Sequence, residues 1–137
     1  DQETIEAVID AALTGHPVFT TVHSNGVADT LRRMVTTFPH AERDARLQDL
    51  LETVKVIIWQ ALAQTTDGKL TPIREILIMS DEVRDYLLKG EAEEIVSRTR
   101  FMLEEHELTA YHYAKDKYER GIITKSAFNR FGMHKGD

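Results

Sequence analysis

His23 is the side chain whose placement in this sequence points most directly to chemistry. It follows the run from Val18 to Val22, which is short, β-branched and aromatic, as expected of a strand buried in a parallel sheet. Open α/β sheets bind ligands at the carboxyl ends of such strands, where an imidazole can donate a hydrogen bond. A histidine after a strand is also a common turn residue, so the surrounding residues have to decide between a functional and a structural interpretation.

A strand–turn–helix unit has to position this histidine. Apolar residues from Ile5 to Leu13 recur at helical spacing, and Gly15 is predicted to end that helix. After the strand, Ser24 or Asn25 is predicted to cap the next helix. The unit therefore places His23 at the junction between a strand and a helix.

Two further elements are predicted before the middle of the chain ends. Pro39 interrupts the second helix, and the spacing of apolar residues from Leu47 to Leu62 predicts one long amphipathic helix. Asp67 and Gly68 then form a strong turn signal, which predicts a β-hairpin between residues 62–66 and 70–79. The chain is therefore expected to end its strand-forming part shortly before residue 80.

The remainder of the chain is predicted to be helical. Ser80 can cap a helix over residues 83–89, Gly90 breaks it, and a helix resumes over residues 91–103. A further helix follows, and Thr124 is predicted to cap a last short one. The composition shifts near Ser80, which indicates a soft boundary there.

These elements predict an α/β fold with two regions, residues 1–80 and residues 81–137. The first is a partial α/β core, because one buried strand and a hairpin cannot complete a parallel sheet that is covered on both faces. The second is a helical C-terminal subdomain. The chain begins at Asp1 rather than at methionine, so the missing strands are expected upstream of it. Gly68 and Lys69 lack the earlier glycine of a phosphate-binding loop, so no nucleotide cradle is predicted within the chain.

The composition limits the classes of partner. The chain has 137 residues, 42% of them hydrophobic and 29% charged, which is ordinary for one globular core. A net charge of -6 repels phosphate backbones, so no nucleic-acid partner is predicted. No apolar stretch approaches the ~20 residues that cross a bilayer, so direct membrane insertion is not predicted. The absence of cysteine suits a cytoplasmic location.

Two segments carry a specific family resemblance. Asp1–Thr4 resembles the end of the Walker B segment of secretion ATPases, and the stretch from Thr14 to Asn25 is similar to the His box of the same superfamily. Residue types typical of type IV pilus retraction motors and of type II or type IV secretion motors also occur at Arg33, Phe38–Pro39, Gln60 and Glu75.

The subgroup is indicated by details of these same segments. The runs Thr4–Ala7 and Thr20–Thr30 resemble the type IVB ATPases of Dot/Icm and related conjugative systems most. Val83–Leu88 resembles, with substitutions, the Ala-Ile-Arg-Asn-Leu-Ile-Arg-Glu segment of pilus retraction motors. The substitutions argue against a retraction role, and secretion is therefore the favoured reading.

The resemblance implies an activity, cofactors and partners. It implies a RecA-like P-loop NTPase core, of which this chain holds an incomplete parallel sheet, and ATP hydrolysis by a homo-hexamer that powers type IV secretion. The cofactors would be ATP and Mg²⁺, bound mainly by residues upstream of the chain. The partners would be cytoplasmic components of a secretion apparatus, which would hold the motor at the inner membrane.

The resemblance also implies roles for individual residues. His23 would donate a hydrogen bond to the γ-phosphate and report the nucleotide state, and Glu3 would support the Mg²⁺ and water shell from a second layer. Asp1 and Thr4 would lie at the cofactor. The structural alternatives are a turn histidine for His23 and a favourable helix-start charge for Glu3, with Thr4 completing the same start. The catalytic glutamate and the P-loop lysine would lie upstream.

Two arginines are interpreted as structural charges. Arg33 is predicted to be a helix charge rather than an intersubunit or nucleotide-linked contact, and Arg84 is predicted to be a plain surface or interface charge. His106 and His112 are six residues apart, which places them on different faces of a helix, so no metal site is predicted.

Two alternatives remain open at this point. One is a type IV pilus retraction motor, which differs from a secretion motor in its partners rather than in its chemistry. The other is a nucleotide-free interaction module that keeps the fold of a motor. In every case the chain by itself is expected not to hydrolyse ATP, since it lacks a phosphate-binding loop.

Overall fold

The computed structural model describes residues 1–132, which form an antiparallel hairpin surrounded by helices. The helices are α1 (Gln2–Leu13), α2 (Val27–Thr36), α3 (Arg43–Thr53), α4 (Asp81–Leu88), α5 (Ile95–Glu105), α6 (Ala110–Glu119) and α7 (Lys125–Gly132). The strands are β1 (Val56–Gln64) and β2 (Leu70–Ile78), and single 3-10 turns at His40–Glu42 and Ala92–Glu94 precede α3 and α5.

Local capping signals set several helix starts. The side chain of Ser80 accepts a hydrogen bond from the backbone N–H of Val83, and that of Thr124 accepts one from Ala127. Both residues were expected to be caps, and both predictions are confirmed. At the other end of a helix, Gly15 follows α1 with a φ of +92°, the left-handed conformation that glycine adopts at low cost.

The hairpin is confirmed, but it begins earlier than predicted. β1 and β2 are antiparallel, with Trp59 opposite Glu75. The long helix predicted from Leu47 to Leu62 is wrong, because α3 ends at Thr53 and the rest of that stretch is strand. The apolar spacing there fits a helix by coincidence, whereas the β-branched run at residues 56–58 pairs with β2.

The two faces of the hairpin have different surroundings. Side chains alternate between faces along each strand, and Ile57, Ala63, Ile73 and Leu77 are buried on one of them. The opposite face is exposed and mostly apolar; it carries Val56, Ile58, Leu62, Leu70 and Ile78. Helices therefore cover one side of this sheet within residues 1–132.

Two apolar clusters form the core. The larger joins α1, α2 and α3 to α4 and α5, and includes Ile9, Leu31, Leu51 and Leu87. The smaller lies between the hairpin, α6 and α7, and Trp59 packs against both clusters. Because the larger cluster contains residues from both sides of Ser80, helices of the predicted second region pack directly on the first. The predicted boundary at residue 80 stays a prediction.

No helix within residues 1–132 combines the length and the apolar character that a bilayer crossing requires.

Candidate functional site

The N-terminal end of α1 brings three of the predicted site residues together. One carboxylate oxygen of Asp1 accepts a hydrogen bond from the backbone N–H of Thr4 at 2.8 Å, which caps the helix. Glu3 is exposed in the first turn, where the helix dipole favours negative charge. Asp1 and Thr4 therefore have a structural task at this helix start, and Glu3 faces solvent beside them.

His23 lies in a different setting from the one that the sequence predicted. The buried strand expected at Val18–Val22 is absent: residues 16–24 have no regular secondary structure. Phe19 is 99% exposed, and His23 is also exposed. The physical reason is that a strand needs neighbours for its backbone groups, and β1 and β2 pair only with each other within the described residues.

An open groove of about 1030 Å³ runs beside this segment. It is lined by the second half of α1, the segment containing His23, the end of α3 and the first half of β1. The residues Asp1, Glu3 and Thr4 are not part of its lining, and among residues 1–132 no hydrogen bond joins them to His23. The structure therefore does not bring the predicted site residues into one cluster.

The turn that follows His23 is firmly held, in contrast to the segment before it. The indole N–H of Trp59 donates to the carbonyl oxygen of Ser24 at 3.0 Å, and the hydroxyls of Ser24 and Thr30 are 2.7 Å apart. The backbone N–H of Asn25 donates to a carboxylate oxygen of Asp29 at 2.9 Å. These contacts from β1 and α2 fix the backbone immediately after His23.

Asp29 is the electrostatic centre of this turn. Burial opposes its ionisation, but the hydrogen bond from the N–H of Asn25 and the guanidinium groups of Arg33 and Arg32 outweigh that cost and lower the pKa of Asp29 to about 2. The Nε of Arg33 lies 2.8 Å from one carboxylate oxygen, and Arg32 pairs with the other. Arg33, interpreted from the sequence as a helix charge, therefore pairs with Asp29 on the same helix.

The start of α2 is capped by a residue that sequence reasoning did not assign to it. The N-cap position is Gly26, so the prediction that Ser24 or Asn25 caps the helix is wrong. Instead, the Oε1 atom of Glu75 on β2 accepts a hydrogen bond from the backbone N–H of Val27 at 3.0 Å. Only the tertiary fold reveals this contact, because the two residues are 48 positions apart in the chain.

Arg84 also differs from its predicted role. Its side chain is only 19% exposed and donates to the backbone carbonyls of Leu51, Val54 and Met79, at 2.8, 3.4 and 3.2 Å. The prediction for Arg84 is a plain surface or interface charge; a plain surface charge is therefore wrong, and an interface contact stays a prediction. Arg84 joins α4 to the end of α3 and to the backbone that follows β2. The end of α3 is one of the elements that line the groove, so Arg84 helps to fix it in place.

The titratable side chains of residues 1–132 are not gathered into a metal site. Within residues 1–132 no group of three or more histidine, aspartate or glutamate side chains is placed to hold a metal ion. His106 lies 3.8 Å from Glu82, and His112 lies 2.7 Å from the hydroxyl of Thr109. His23 and the start of α1 are the polar groups that the sequence predicted at a nucleotide, and both are exposed.

Comparison with known proteins places the chain in a family. Residues 1–72 match the model of the family described as "Type II/IV secretion system protein". The "Twitching motility protein" of Neisseria gonorrhoeae is 38% identical over 98 residues, which cover 71% of this chain and 26% of that protein. The "Type IV pilus retractation ATPase PilT" of Pseudomonas aeruginosa is 34% identical over 98 residues, covering 71% of this chain and 28% of PilT.

Solved structures match all or nearly all of the chain. The X-ray structure of the Legionella pneumophila ATPase DotB matches with a TM-score of 0.91 and 44% identity, over 100% of this chain and 37% of that chain. The crystal structure of the pilus retraction motor PilT with bound ADP matches with a TM-score of 0.82 and 28% identity, over 95% of this chain and 36% of that one.

These matches decide the family and the fold. The chain spans between a quarter and two fifths of the length of these relatives, so it corresponds to one part of each. The predicted resemblance and the predicted α/β fold class are both confirmed. The chain belongs to the type II/IV secretion system protein family, and it has the fold of the corresponding part of the DotB and PilT ATPases.

Proposed function

We propose that this chain is the C-terminal part of a motor that hydrolyses ATP to power a type IVB secretion system. The observation that carries the proposal is the match to Legionella pneumophila DotB, which covers the entire chain at 44% identity. The match to PilT covers 95% of the chain at 28% identity. Secretion is therefore favoured over pilus retraction.

In this proposal His23 is the residue that senses the γ-phosphate. His23 is exposed and lines the groove, whereas the backbone after it is held by Trp59 and Asp29, and the hydroxyl of Ser24 bonds to that of Thr30. An exposed ring on a fixed turn can donate a hydrogen bond to an incoming phosphate oxygen and pass its position on to α2. Phosphoryl transfer depends mostly on such positioning and charge stabilisation.

The start of α1 has a supporting role in the same proposal. Glu3 would orient water around Mg²⁺, and Asp1 and Thr4 would lie near the cofactor while they also cap the helix. ATP would supply the energy of the phosphoryl bond. The phosphate-binding loop would belong to a part of the protein outside this chain, because residues 1–132 do not provide one.

The assembly and its location are likewise proposals. A homo-hexameric ring in the cytoplasm, docked at the inner membrane through components of a secretion apparatus, follows from the family resemblance. The exposed apolar face of the hairpin, with Ile58, Leu62 and Ile78, supports burial of this surface in something larger than the isolated chain.

Two other functions compete with this one. Pilus retraction is supported by the curated relatives, since PilT of Pseudomonas aeruginosa is named as a retraction ATPase and is 34% identical over 98 residues. The other is a nucleotide-free interaction module that keeps the fold of a motor, and it predicts no ATP binding by the intact protein. Both alternatives predict results that differ from those of a secretion motor.

The test is ATP hydrolysis by the intact protein and by its His23→Ala variant. We expect kcat to fall by about 100-fold, the usual cost of removing one transition-state hydrogen bond. His106→Ala is the matched control, because it removes an exposed histidine whose one ion-pair partner within residues 1–132 is Glu82. Normal turnover in His23→Ala would exclude the proposed role of His23.

A second measurement separates the alternatives. An intact protein that neither binds nor hydrolyses ATP would be an interaction module rather than a motor. If it does hydrolyse ATP, deletion of its gene should abolish protein secretion and leave pilus retraction unchanged. Loss of retraction with normal secretion would instead identify a retraction motor.

A further inference from the structure

The carboxylate of Glu75 lies between the N-terminal ends of two helices. Its Oε1 atom accepts a hydrogen bond from the backbone N–H of Val27, the first residue of α2, at 3.0 Å. Its Oε2 atom accepts one from the backbone N–H of Ala110, the first residue of α6, at 2.9 Å. One side chain on β2 therefore binds α2, next to His23, and α6, in the helical tail.

Both amides depend on this carboxylate. The first N–H groups of a helix have no partner inside the helix and are usually satisfied by a nearby side chain. The N-cap of α2 is Gly26, which has no side chain to offer, and the Thr109 cap of α6 accepts from His112 rather than from Ala110. Glu75 thus supplies the missing acceptor at each end, and its negative charge is favoured by both helix dipoles.

The backbone of Gly26 is shaped to admit the carboxylate. A Cβ atom at this position would lie 3.1 Å from Oε1 of Glu75. Gly26 also has a φ of +155°, which side-chain-bearing residues rarely adopt. A side chain at this position would therefore strain the backbone and crowd Oε1 of Glu75.

Glu75 and Trp59 hold the same turn from its two ends. They are directly opposite each other in the hairpin. Trp59 donates to the carbonyl of Ser24, the residue after His23, and Glu75 accepts from Val27, four residues after His23. Because the strands fix the spacing between these two side chains, they clamp the turn against the sheet.

We propose that Glu75 is a positioning residue that couples α6 to the turn after His23. When α6 moves, the Glu75 carboxylate moves with it, and its hydrogen bond with the backbone N–H of Val27 weakens. The position of α6 therefore affects the turn that follows His23. The effect on ATP turnover rests on the function proposed above. The mechanical coupling rests only on the two hydrogen bonds of Glu75.

The coupling is tested by hydrogen–deuterium exchange of the intact protein, resolved to single amides. Thr109→Ala loosens the start of α6 without touching Glu75 directly. We expect it to speed exchange at the N–H of Val27 by about 2-fold or more, and to have no effect there in an E75A background. Ser80→Ala is the matched control, because it removes the equivalent cap of α4, and within residues 1–132 no hydrogen bond joins α4 to Glu75.

Direct substitutions of Glu75 complete the test. Glu75→Ala should speed exchange at both Val27 and Ala110 by about 10-fold, with the capped amide of Thr4 in α1 unchanged as a reference. Glu75→Gln keeps only one acceptor oxygen, so it should expose just one of the two amides. This variant keeps the side-chain volume and remains informative if Glu75→Ala does not fold.

Two results would overturn the proposal. One is an equal effect of Thr109→Ala on exchange at Val27 with and without Glu75, and the other is faster exchange at Val27 in Glu75→Ala while Ala110 stays protected.

Where ATP is hydrolysed, Glu75→Gln should lower kcat and leave the KM for ATP unchanged. If the wild-type protein hydrolyses no ATP, the proposed function fails, and the exchange results still decide whether Glu75 couples α6 to α2.

Discussion

The two halves of the segment around His23 differ in how they are held. Before His23, residues 16–22 have no regular secondary structure, and Phe19 is almost fully exposed. After it, the turn that leads into α2 is bonded to Trp59, to Asp29 and to Glu75. The contrast teaches that a run of strand-forming residues needs a partner strand, whereas a turn can be fixed by side chains from elements that are already folded.

Of these substitutions, Gly26→Ala should destabilise the turn after His23 most. The new Cβ would crowd Oε1 of Glu75, and the residue would have to keep an unfavourable φ, so we expect the free energy of unfolding to fall by about 3 kcal/mol. Urea unfolding of this chain measures it. Gly15→Ala is the matched control, because Gly15 also has positive φ but no atom within 4 Å of its Cβ position. Equal losses in the two variants would mean that contact with Glu75 is unimportant.

Asp29→Asn should have the next largest effect. It removes the charge that holds Arg32 and Arg33 and weakens the acceptor for Asn25, which we expect to cost about 1–2 kcal/mol at neutral pH. The pKa of Asp29 is lowered to about 2 in the folded chain, from an ordinary value of 3.8. Its stabilisation is therefore complete above pH 3.8 and is lost as the pH falls towards 2.

Unfolding of both proteins across this acidic range checks the pH dependence. The difference between wild type and Asp29→Asn should shrink as the pH falls from neutral towards 2. A difference that stays constant over this range would show that the charge of Asp29 does not stabilise the turn.

Trp59→Phe should have a smaller effect. Phenylalanine keeps most of the packing between the two apolar clusters but cannot donate to the carbonyl of Ser24, so we expect a loss of about 1 kcal/mol. Exchange at the N–H of Asn25 should rise at the same time, because the turn loses one of its anchors. Unchanged exchange at Asn25 would argue that the indole contributes packing alone.

Phe19→Ser should have the smallest effect, and it tests the segment before His23, residues 16–22. A side chain that is 99% exposed loses no burial on substitution, so the free energy of unfolding of this chain should change by less than about 0.5 kcal/mol. A loss of more than about 1 kcal/mol would show that the segment before His23 packs against a neighbour, and the contrast between the halves would disappear.

Features that depend on neighbouring residues could be predicted from the sequence. The caps at Ser80 and Thr124 and the turn at Asp67–Gly68 are decided within three to five residues, and the structure has them where they were expected. The His box was recognisable in the same way, since it is a continuous run from Thr14 to Asn25. The assignment of His23, Glu3, Asp1 and Thr4 to a nucleotide site stays a prediction.

Features that depend on distant residues could not be predicted in this way. The stretch at residues 56–62 fits helical spacing and strand composition equally well, and pairing with β2 decides for a strand. Arg84 gives no local sign that its partners are the carbonyls of Leu51, Val54 and Met79. The sequence around a charged residue does not show whether its side chain will form hydrogen bonds with water or with backbone groups of another element.

By itself, the sequence determined the family, the helix caps and the hairpin turn, because each rests on side chains and backbone groups a few residues apart. The tertiary structure decided that residues 18–22 have no strand partner among the described residues, and that Glu75 caps both α2 and α6. Val27 and Ala110 are 48 and 35 residues from Glu75, so only the packing of the hairpin against both helices brings these groups within hydrogen-bonding distance.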